Sequence, residues 1–266
     1  MPSTRLRTDD ENPRIFTPEY YARMRELEAT SWWNEGMRDI AEMLLDRSRI
    51  PSSGIFIDAG CGTGQTMDWF VRRHPGWKGI GFDIAADGLG FAREAGLPVS
   101  QATALCLPLP NRSVDLVISL DTLQHLPLKG GDASALREFF RVLRPRGILL
   151  LRTNAQSFPR TRDDEEFSFR KYEPRTLRAK LFDAGFQTRI LGRCNAILGL
   201  AEIPRELKAA RKASGDYHGI LAQPRDSSSF LDGLKKAWLR LEGHAVAAGL
   251  SLPLGRTLFA LSEKPR

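Results

Sequence analysis

The chain lacks the features that would tie it to a membrane or to a covalent framework. No apolar run approaches the roughly 20 residues needed to span a bilayer. The opening stretch MPSTRLRTDDENPR is polar and charged and does not read as a signal peptide. Cysteine is scarce: Cys61, Cys106 and Cys194 are odd in number and far apart, which argues against a disulfide scaffold and a zinc site. A reducing cytoplasm is the expected setting. There is no internal repeat, no low-complexity tract and no block of like charges. What remains is an ordinary globular composition, 42% apolar and 27% charged over 266 residues, ample for one large domain with additions.

The net charge is +7, and its distribution is uneven. From Arg152 onward 21 basic residues face 13 acidic ones, so the first 151 residues carry a slight negative excess. The basic half reads either as a solvated surface or as an attraction for an acidic substrate, a nucleic acid or a membrane face.

Residues 18–29 and 35–47 read as helices, the second because Met37, Ile40, Ala41, Leu44 and Leu45 fall on one helical face. From Ile55 onward strands and helices alternate. Strands are expected at 55–59, 78–83, 98–102, 114–120, 147–153 and 187–194. Helices are expected at 63–73, 85–95 and from Pro174 to the glycine at 185. Another is expected to be capped by Asp132, to present Leu136, Phe139, Phe140 and Leu143 on one face, and to end at Pro145. Such alternation implies a mostly parallel sheet with helices on both faces. After residue 194 the pattern changes. Helical stretches at 204–212 and 230–247, the latter with Phe230, Leu234, Ala237, Trp238 and Leu241 on one face, precede a final strand at 257–262. Three parts are expected: an N-terminal helical cap over 1–50, a core formed by 51–194 with 256–264, and a helical insertion over 195–255.

IFIDAGCGTG, residues 55–64, is the informative stretch. A buried strand ends at Asp58, and Gly60, Gly62 and Gly64 follow at alternate positions. Glycines there let the chain turn sharply and let a ligand lie against backbone, while N–H groups at the following helix start add partial positive charge. The spacing differs from the dinucleotide fingerprint G-x-G-x-x-G. A second strand, GIGFD, ends in Asp83, nineteen residues after Gly64. A carboxylate there can accept both hydroxyls of a ribose, or can cap the helix that follows.

These stretches, with ATALCLPLPNRSVDLVISLDTLQHL and LREFFRVLRPRGILLL, resemble the class I S-adenosylmethionine-dependent methyltransferases over residues 51–153. The flanks MRELEATSWWNEGMRDI, RKYEPRTLRAKLFDAGF and LSLPLGRTLFALSEKP are similar to one bacterial small-molecule branch. The resemblance implies a Rossmann-like α/β fold whose seven-stranded sheet has an antiparallel last strand. It implies S-adenosylmethionine as methyl donor, S-adenosylhomocysteine as product and no metal. The loop Gly60, Cys61, Gly62, Gly64 would hold the methionine part, and Asp58 would reach its ammonium. Asp83 would bind the ribose, with Ile84 packed on the adenine. Where the family usually has an acid for the adenine amino group, this chain has Thr103; backbone near Ala104 and the side chain of Leu105 would then hold the ring. Ser31 and Ser168 likewise stand where the branch tends to have histidines.

In-line displacement needs alignment of nucleophile, carbon and sulfur, and sometimes a base. The strand VDLVISL ends at Leu120, which should open beside the methyl, and Asp121 and His125 follow. His125 is a candidate base or a loop-orienting residue. Asp121 is a proton acceptor or a cap. The loop lacks the N/D-P-P-Y/F stretch of enzymes acting on exocyclic amines of nucleobases, so no stable nucleic-acid partner is expected. Tyr20, Tyr21, Trp32 and Trp33 line a substrate cavity or pack on the sheet. Arg170, Lys171 and Tyr172 contact an acidic or phenolic acceptor or form a solvated basic face. The insertion is a lid, with ASGDYHG at 213–219 as a turn, or it makes a homodimer contact through Trp238 and Leu241. The expected activity is methylation of a small molecule at O, N or C; the alternatives are an RNA or protein methyltransferase, or a cofactor-binding protein without transfer.

Overall fold

A computed structural model describes residues 17–156, 170–196 and 229–266. Its sheet has seven strands: β1 (Gly54–Ala59), β2 (Trp77–Asp83), β3 (Val99–Gln101), β4 (Val114–Leu120), β5 (Leu143–Asn154), β6 (Gln187–Cys194) and β7 (Thr257–Glu263). They lie in the order β3-β2-β1-β4-β5-β7-β6. β1 to β5 pair in parallel, and β7 runs antiparallel to both β5 and β6. The Rossmann-like α/β sheet with its antiparallel last strand is therefore as the sequence suggests.

The helices are α1 (Pro18–Thr30), α2 (Trp32–Ser48), α3 (Gln65–Arg73), α4 (Ala86–Glu94), α5 (Gly131–Val142), α6 (Pro174–Asp183) and α7 (Ser229–Ala247). Each face of the sheet carries a core. One joins Ile57, Val117, Leu149 and Ala260 to Leu136 and Phe139 of α5 and Leu177 and Leu181 of α6. The other joins Phe56, Ile118, Leu150 and Phe259 to Met37, Ile40 and Leu44 of α2, Phe70 of α3 and Leu239 of α7. This division follows from alternation of side chains along each strand.

Local capping explains where the first helices meet. Thr17 takes the Tyr20 N–H at 3.3 Å, with proline at the first helical position. Ser31 ends α1 and caps α2 by accepting the Trp33 N–H at 3.2 Å, which starts α2 three residues earlier than periodicity alone suggests. Met37, Ile40, Ala41, Leu44 and Leu45 are indeed its buried face.

Three expectations change. α5 stops at Val142, before Pro145, because Leu143 is drawn into β5 opposite Val114. Asp132 is not its cap; Gly130 holds that position and Asp132 lies buried in the first turn. Phe140 packs instead against Phe186, with the Lys264 ammonium over its ring.

α7 forms as expected, but its apolar stripe points outward: Phe230 is 74% exposed, Leu234 55%, Trp238 40% and Leu241 61%. The opposite face, with Leu239 and Val246, is buried. It meets α2 through two glycines. A Cβ on Gly36 would lie 2.7 Å from Leu239 Cδ1, and one on Gly243 would lie 2.7 Å from Ile40 Cγ1. So α7 belongs to a packed layer of the core. The expected helix at 204–212, the turn at 213–219 and Ser168 lie outside the described residues. Among the described residues no helix is long and apolar enough to cross a membrane.

Candidate functional site

β1 ends at Ala59, and the loop behind it folds over the neighbouring strand. The N–H groups of Gly60 and Cys61 both donate to Phe82 O of β2, at 2.7 and 3.1 Å. Two loop glycines sit in left-handed backbone, where a side chain is strained. Gly60 has φ +89°, and a Cβ there would fall 1.9 Å from Thr122 Oγ1. Gly62 has φ +50°, and a Cβ would press on Met24 Cε at 2.9 Å. Gly64 is the residue before α3, so the loop feeds directly into a helix N-terminus. The Cys61 thiol packs in the core beneath Gly81, where burial pushes its pKa up. Cys61 thus serves the loop through its backbone.

Asp83, at the end of β2, ties the loop to the next helix. Its Oδ2 accepts the Gly62 N–H and its Oδ1 the Ala85 N–H, both at 2.9 Å. The two expected uses of this acid are therefore compatible: it braces the start of α4, and each oxygen keeps a second lone pair for a hydroxyl. Burial raises its pKa, and the hydrogen bonds from Ala85 and Gly62 oppose the rise. Beside it Ile84 is 47% exposed, an apolar face open to a flat ring. The segment Thr103 to Cys106 closes on itself: Thr103 Oγ1 accepts the Leu105 N–H at 3.2 Å, Ala104 is buried, and Leu105 packs on the core edge.

Asp58 is the decisive group. It is 1% exposed, and its Oδ2 has no hydrogen-bond partner. Burial pushes its carboxyl up to about 8, Asp83 and Glu28 add to the rise, and Arg152 opposes it. A buried carboxylate without a donor is costly unless a cation joins it.

Glu28 and Arg152 are functional candidates that the sequence reading missed. α1 lies across the glycine loop with Tyr21, Met24 and Glu28 on one face. The Tyr21 ring wedges between Gly62 and Gly88, and Met24 covers Gly62. The Thr63 hydroxyl donates to Glu28 Oε2 at 2.5 Å. Burial raises the Glu28 pKa, and the Thr63 bond opposes that. Spacing of i, i+3 and i+7 from Tyr21 would have placed Glu28 beside the aromatics. Arg152 was legible as a cation ending the otherwise apolar run GILLLR.

The register puts Asp58, Ile118 and Leu150 abreast. Arg152 stands two residues beyond Leu150, opposite Leu120, and so on the same face as Asp58. Its Nε and Nη2 both donate to Asp121 Oδ2, the first at 3.0 Å. Asp121 sits in the left-handed region at φ +57°, with its N–H bonded to Arg152 O. The Arg152 guanidinium lies 5.0 Å from the centre of the Trp33 ring. His125 closes a short 3-10 turn, Leu123–His125, after β4. Burial pulls its imidazole down to about 4, against the pull of Asp121. It is therefore neutral near pH 7 and a weak base.

The aromatic residues separate. Tyr20 packs edge-on against Tyr21 at 5.6 Å, over the loop. Trp33 lies under Arg152, and Trp32 takes the Lys235 ammonium of α7 at 5.1 Å. Tyr172 is on the other face of the sheet, 2% exposed, its hydroxyl donating to Asp132 at 3.1 Å. Arg170 is also inward: its backbone N–H bonds Gln124 O, and its guanidinium bonds Leu126 O and Pro127 O. Neither belongs to a solvated basic face. They hold the His125 turn against α5. Among the described residues no group of His, Cys, Asp or Glu is placed to hold a metal ion.

A glycine loop after β1, an acid ending β2 and the strand order above meet here, and residues 57–151 match the model of a methyltransferase domain. This segment is a methyltransferase domain of the class I S-adenosylmethionine-dependent kind. The chain is 28% identical over 178 residues to a probable S-adenosylmethionine-dependent methyltransferase of Mycobacterium tuberculosis, covering 66% of this chain and 63% of that one. It is 34% identical over 122 residues to the malonyl-[acyl-carrier protein] O-methyltransferase of Yersinia pestis, covering 45% and 43%. With the trans-aconitate 2-methyltransferase of an Azoarcus species it shares 31% over 145 residues, 54% of each chain. The matches thus span less than two thirds of these relatives. Among solved structures, phosphoethanolamine N-methyltransferase 2 of Haemonchus contortus aligns with a TM-score of 0.63 and 17% identity over 98% of this chain and 61% of that one. That likeness is one of fold.

S-adenosylmethionine is the methyl donor of this family of domains. The residues present fit it. Asp58 offers an unpartnered buried carboxyl that an ammonium would ionise, Asp83 has lone pairs for a ribose, and Ile84 offers an apolar face to the adenine.

Proposed function

We propose that the protein transfers a methyl group from S-adenosylmethionine to a small-molecule acceptor by in-line displacement. One observation carries the reading: the buried Asp58 carboxylate lacks a donor at the mouth of a glycine loop that Asp83 braces. Bound there, the donor supplies an electrophilic methyl on a positively charged sulfur, with a good leaving group already in place. The chain's part is to bind, orient and exclude water. Asp58 would give up its proton to face the cationic ligand, with Glu28 close by. Tyr21 and Met24 of α1 close the loop from solvent. Leu120 and the Asp121 turn define where the acceptor approaches.

A small acceptor is favoured over a polymer by the fate of the arginines. Arg141 is bound to Glu138, Arg144 to Asp115, and Arg170 to loop carbonyls. The relatives from Yersinia and Azoarcus carry names of enzymes acting on an acyl-carrier-bound malonyl group and on trans-aconitate. A homodimer through the exposed stripe of α7 is a separate proposal, tested by sedimentation of Leu241→Lys against the parent chain.

Isothermal titration with S-adenosylmethionine and S-adenosylhomocysteine tests the donor site. Both are expected to bind one per chain, and Asp83→Ala is expected to lose about 2 kcal/mol or more, as charged hydrogen bonds to two hydroxyls go. No heat with either ligand, or an unchanged Asp83→Ala, would sink the reading.

A further inference from the structure

We propose that the acceptor is a carboxylic acid, that Arg152 and Arg38 hold its carboxylate, and that the product is a methyl ester. This rests on the methyltransferase reading above and names the substrate class of the same site.

Arg152 is 8% exposed at the end of β5, on the Asp58 face of the sheet. Its bonds to Asp121 use Nε and Nη2, and both go to a single oxygen, Oδ2. Nη1 takes no acceptor among the described residues and is not sealed from solvent. The Trp33 ring lies within cation–π range of the guanidinium, 5.0 Å away. Arg38, on the next turn of α2, donates Nη2 to Glu28 O at 3.2 Å and lies within electrostatic reach of Arg152. Glu28 lies within electrostatic reach of both guanidiniums and offsets part of their mutual repulsion, and each keeps N–H groups to spare. A second, planar anion would use those spare N–H groups, and a carboxylate matches the fork geometry of a guanidinium.

The chemistry of the neighbouring groups agrees. His125 is a weak base, its imidazole pulled down by burial, and the Asp121 oxygen that faces Arg152 is already occupied. An acceptor that must lose a proton has no strong base here. A carboxylate needs none. One oxygen stays on Arg152 while a lone pair of the other forms the O–CH3 bond. The C–S bond breaks with its electron pair going to sulfur, so the sulfonium becomes a thioether and no proton moves.

The same arrangement accounts for Asp121. Its left-handed backbone turns the carboxylate back onto Arg152 and holds the guanidinium toward the strand ends. Asp121 is thus a positioning residue.

The test uses methyl-labelled S-adenosylmethionine and a panel of aliphatic and aromatic mono-, di- and tricarboxylic acids beside their amides, amines and phenols. Label should enter acids alone and leave as volatile methanol under mild base. Label on amines or phenols only, or on no acid, overturns the proposal. A second readout needs no turnover: with S-adenosylhomocysteine bound, titration of tricarballylate should quench Trp33 fluorescence. Arg152→Gln should weaken that binding, and raise the acid's KM, roughly 10- to 100-fold. Its S-adenosylhomocysteine affinity should fall far less than its affinity for tricarballylate, and the small loss should vanish as pH is raised well above 8, where Asp58 ionises without help from Arg152. Should Arg152→Gln fail to fold, Arg38→Gln replaces it with the same expectation. Equal tricarballylate binding in parent and folded variant overturns the proposal. Absence of donor binding in calorimetry strikes the methyltransferase reading itself; donor binding with acids neither bound nor methylated strikes only this inference.

Discussion

Asp58 links the donor to the proton. In the empty fold its carboxyl sits at about 8, against about 4 in an unfolded chain. Between those values the native state holds a proton that the unfolded state lacks, so stability of the free protein declines as pH rises through that window. A cationic ligand favours the ionised form. Its affinity should therefore climb toward tenfold per pH unit below about 8 and level above it. Asp83 and Glu28 are shifted in the same direction, Cys61 stays neutral, and Arg152 opposes. Titration in buffers of different ionisation heat should show proton release on binding near pH 7. Asp58→Asn should abolish most of that release; a flat affinity profile in the parent protein would contradict the assignment. At the same scale, Gly60→Ala should cost at least about tenfold in donor affinity, because a methyl would fall on Thr122 in a left-handed backbone.

Helix against helix, the α2–α7 crossing is the element most sensitive to a small change. Leu239 fills the space left by Gly36, and Ile40 that left by Gly243. Gly243→Val should lower stability by about 1–3 kcal/mol through overpacking, because it adds three carbons where a Cβ alone would lie 2.7 Å from Ile40 Cγ1. Urea denaturation followed by tryptophan fluorescence would measure it. The exposed stripe gives the contrast: Leu234→Lys should change stability by less than about 0.5 kcal/mol. α1 behaves differently from both. It reaches the glycine loop through Tyr21, Met24 and Glu28, and its ion pair Arg25–Glu94 is exposed. An exposed pair adds little. Glu28→Gln should accordingly act on the donor more than on the fold, and hydrogen exchange in α1 with and without S-adenosylhomocysteine would report it.

At the scale of the whole molecule, the donor should act as a staple between α1, the β1 and β2 ends and the β4 turn. A ligand at 100 times its Kd adds about 2.7 kcal/mol. For a chain of this size that corresponds to a rise in Tm of roughly 5–10 °C. Differential scanning fluorimetry with S-adenosylhomocysteine measures it, and Asp83→Ala should erase the rise.

What the sequence determined by itself was the strand-and-helix alternation, the glycine loop, and the acids at the ends of β1 and β2. These are local signals. Buried parallel strands are short apolar runs, helices repeat their apolar face within a few residues, and a loop that must bend past a ligand needs glycine nearby in the chain. Even the antiparallel β7 entered through a resemblance carried by such motifs. Only the tertiary structure decided that Glu28 meets Thr63, that Arg152 lies between Trp33 and Asp121, and that the outward face of α7 is its apolar one. It also turned Tyr172 and Arg170 inward onto Asp132 and the His125 turn. Each of these depends on partners tens to hundreds of residues apart. The pairings are fixed by which surfaces the sheet leaves to be covered, a quantity that no local periodicity encodes.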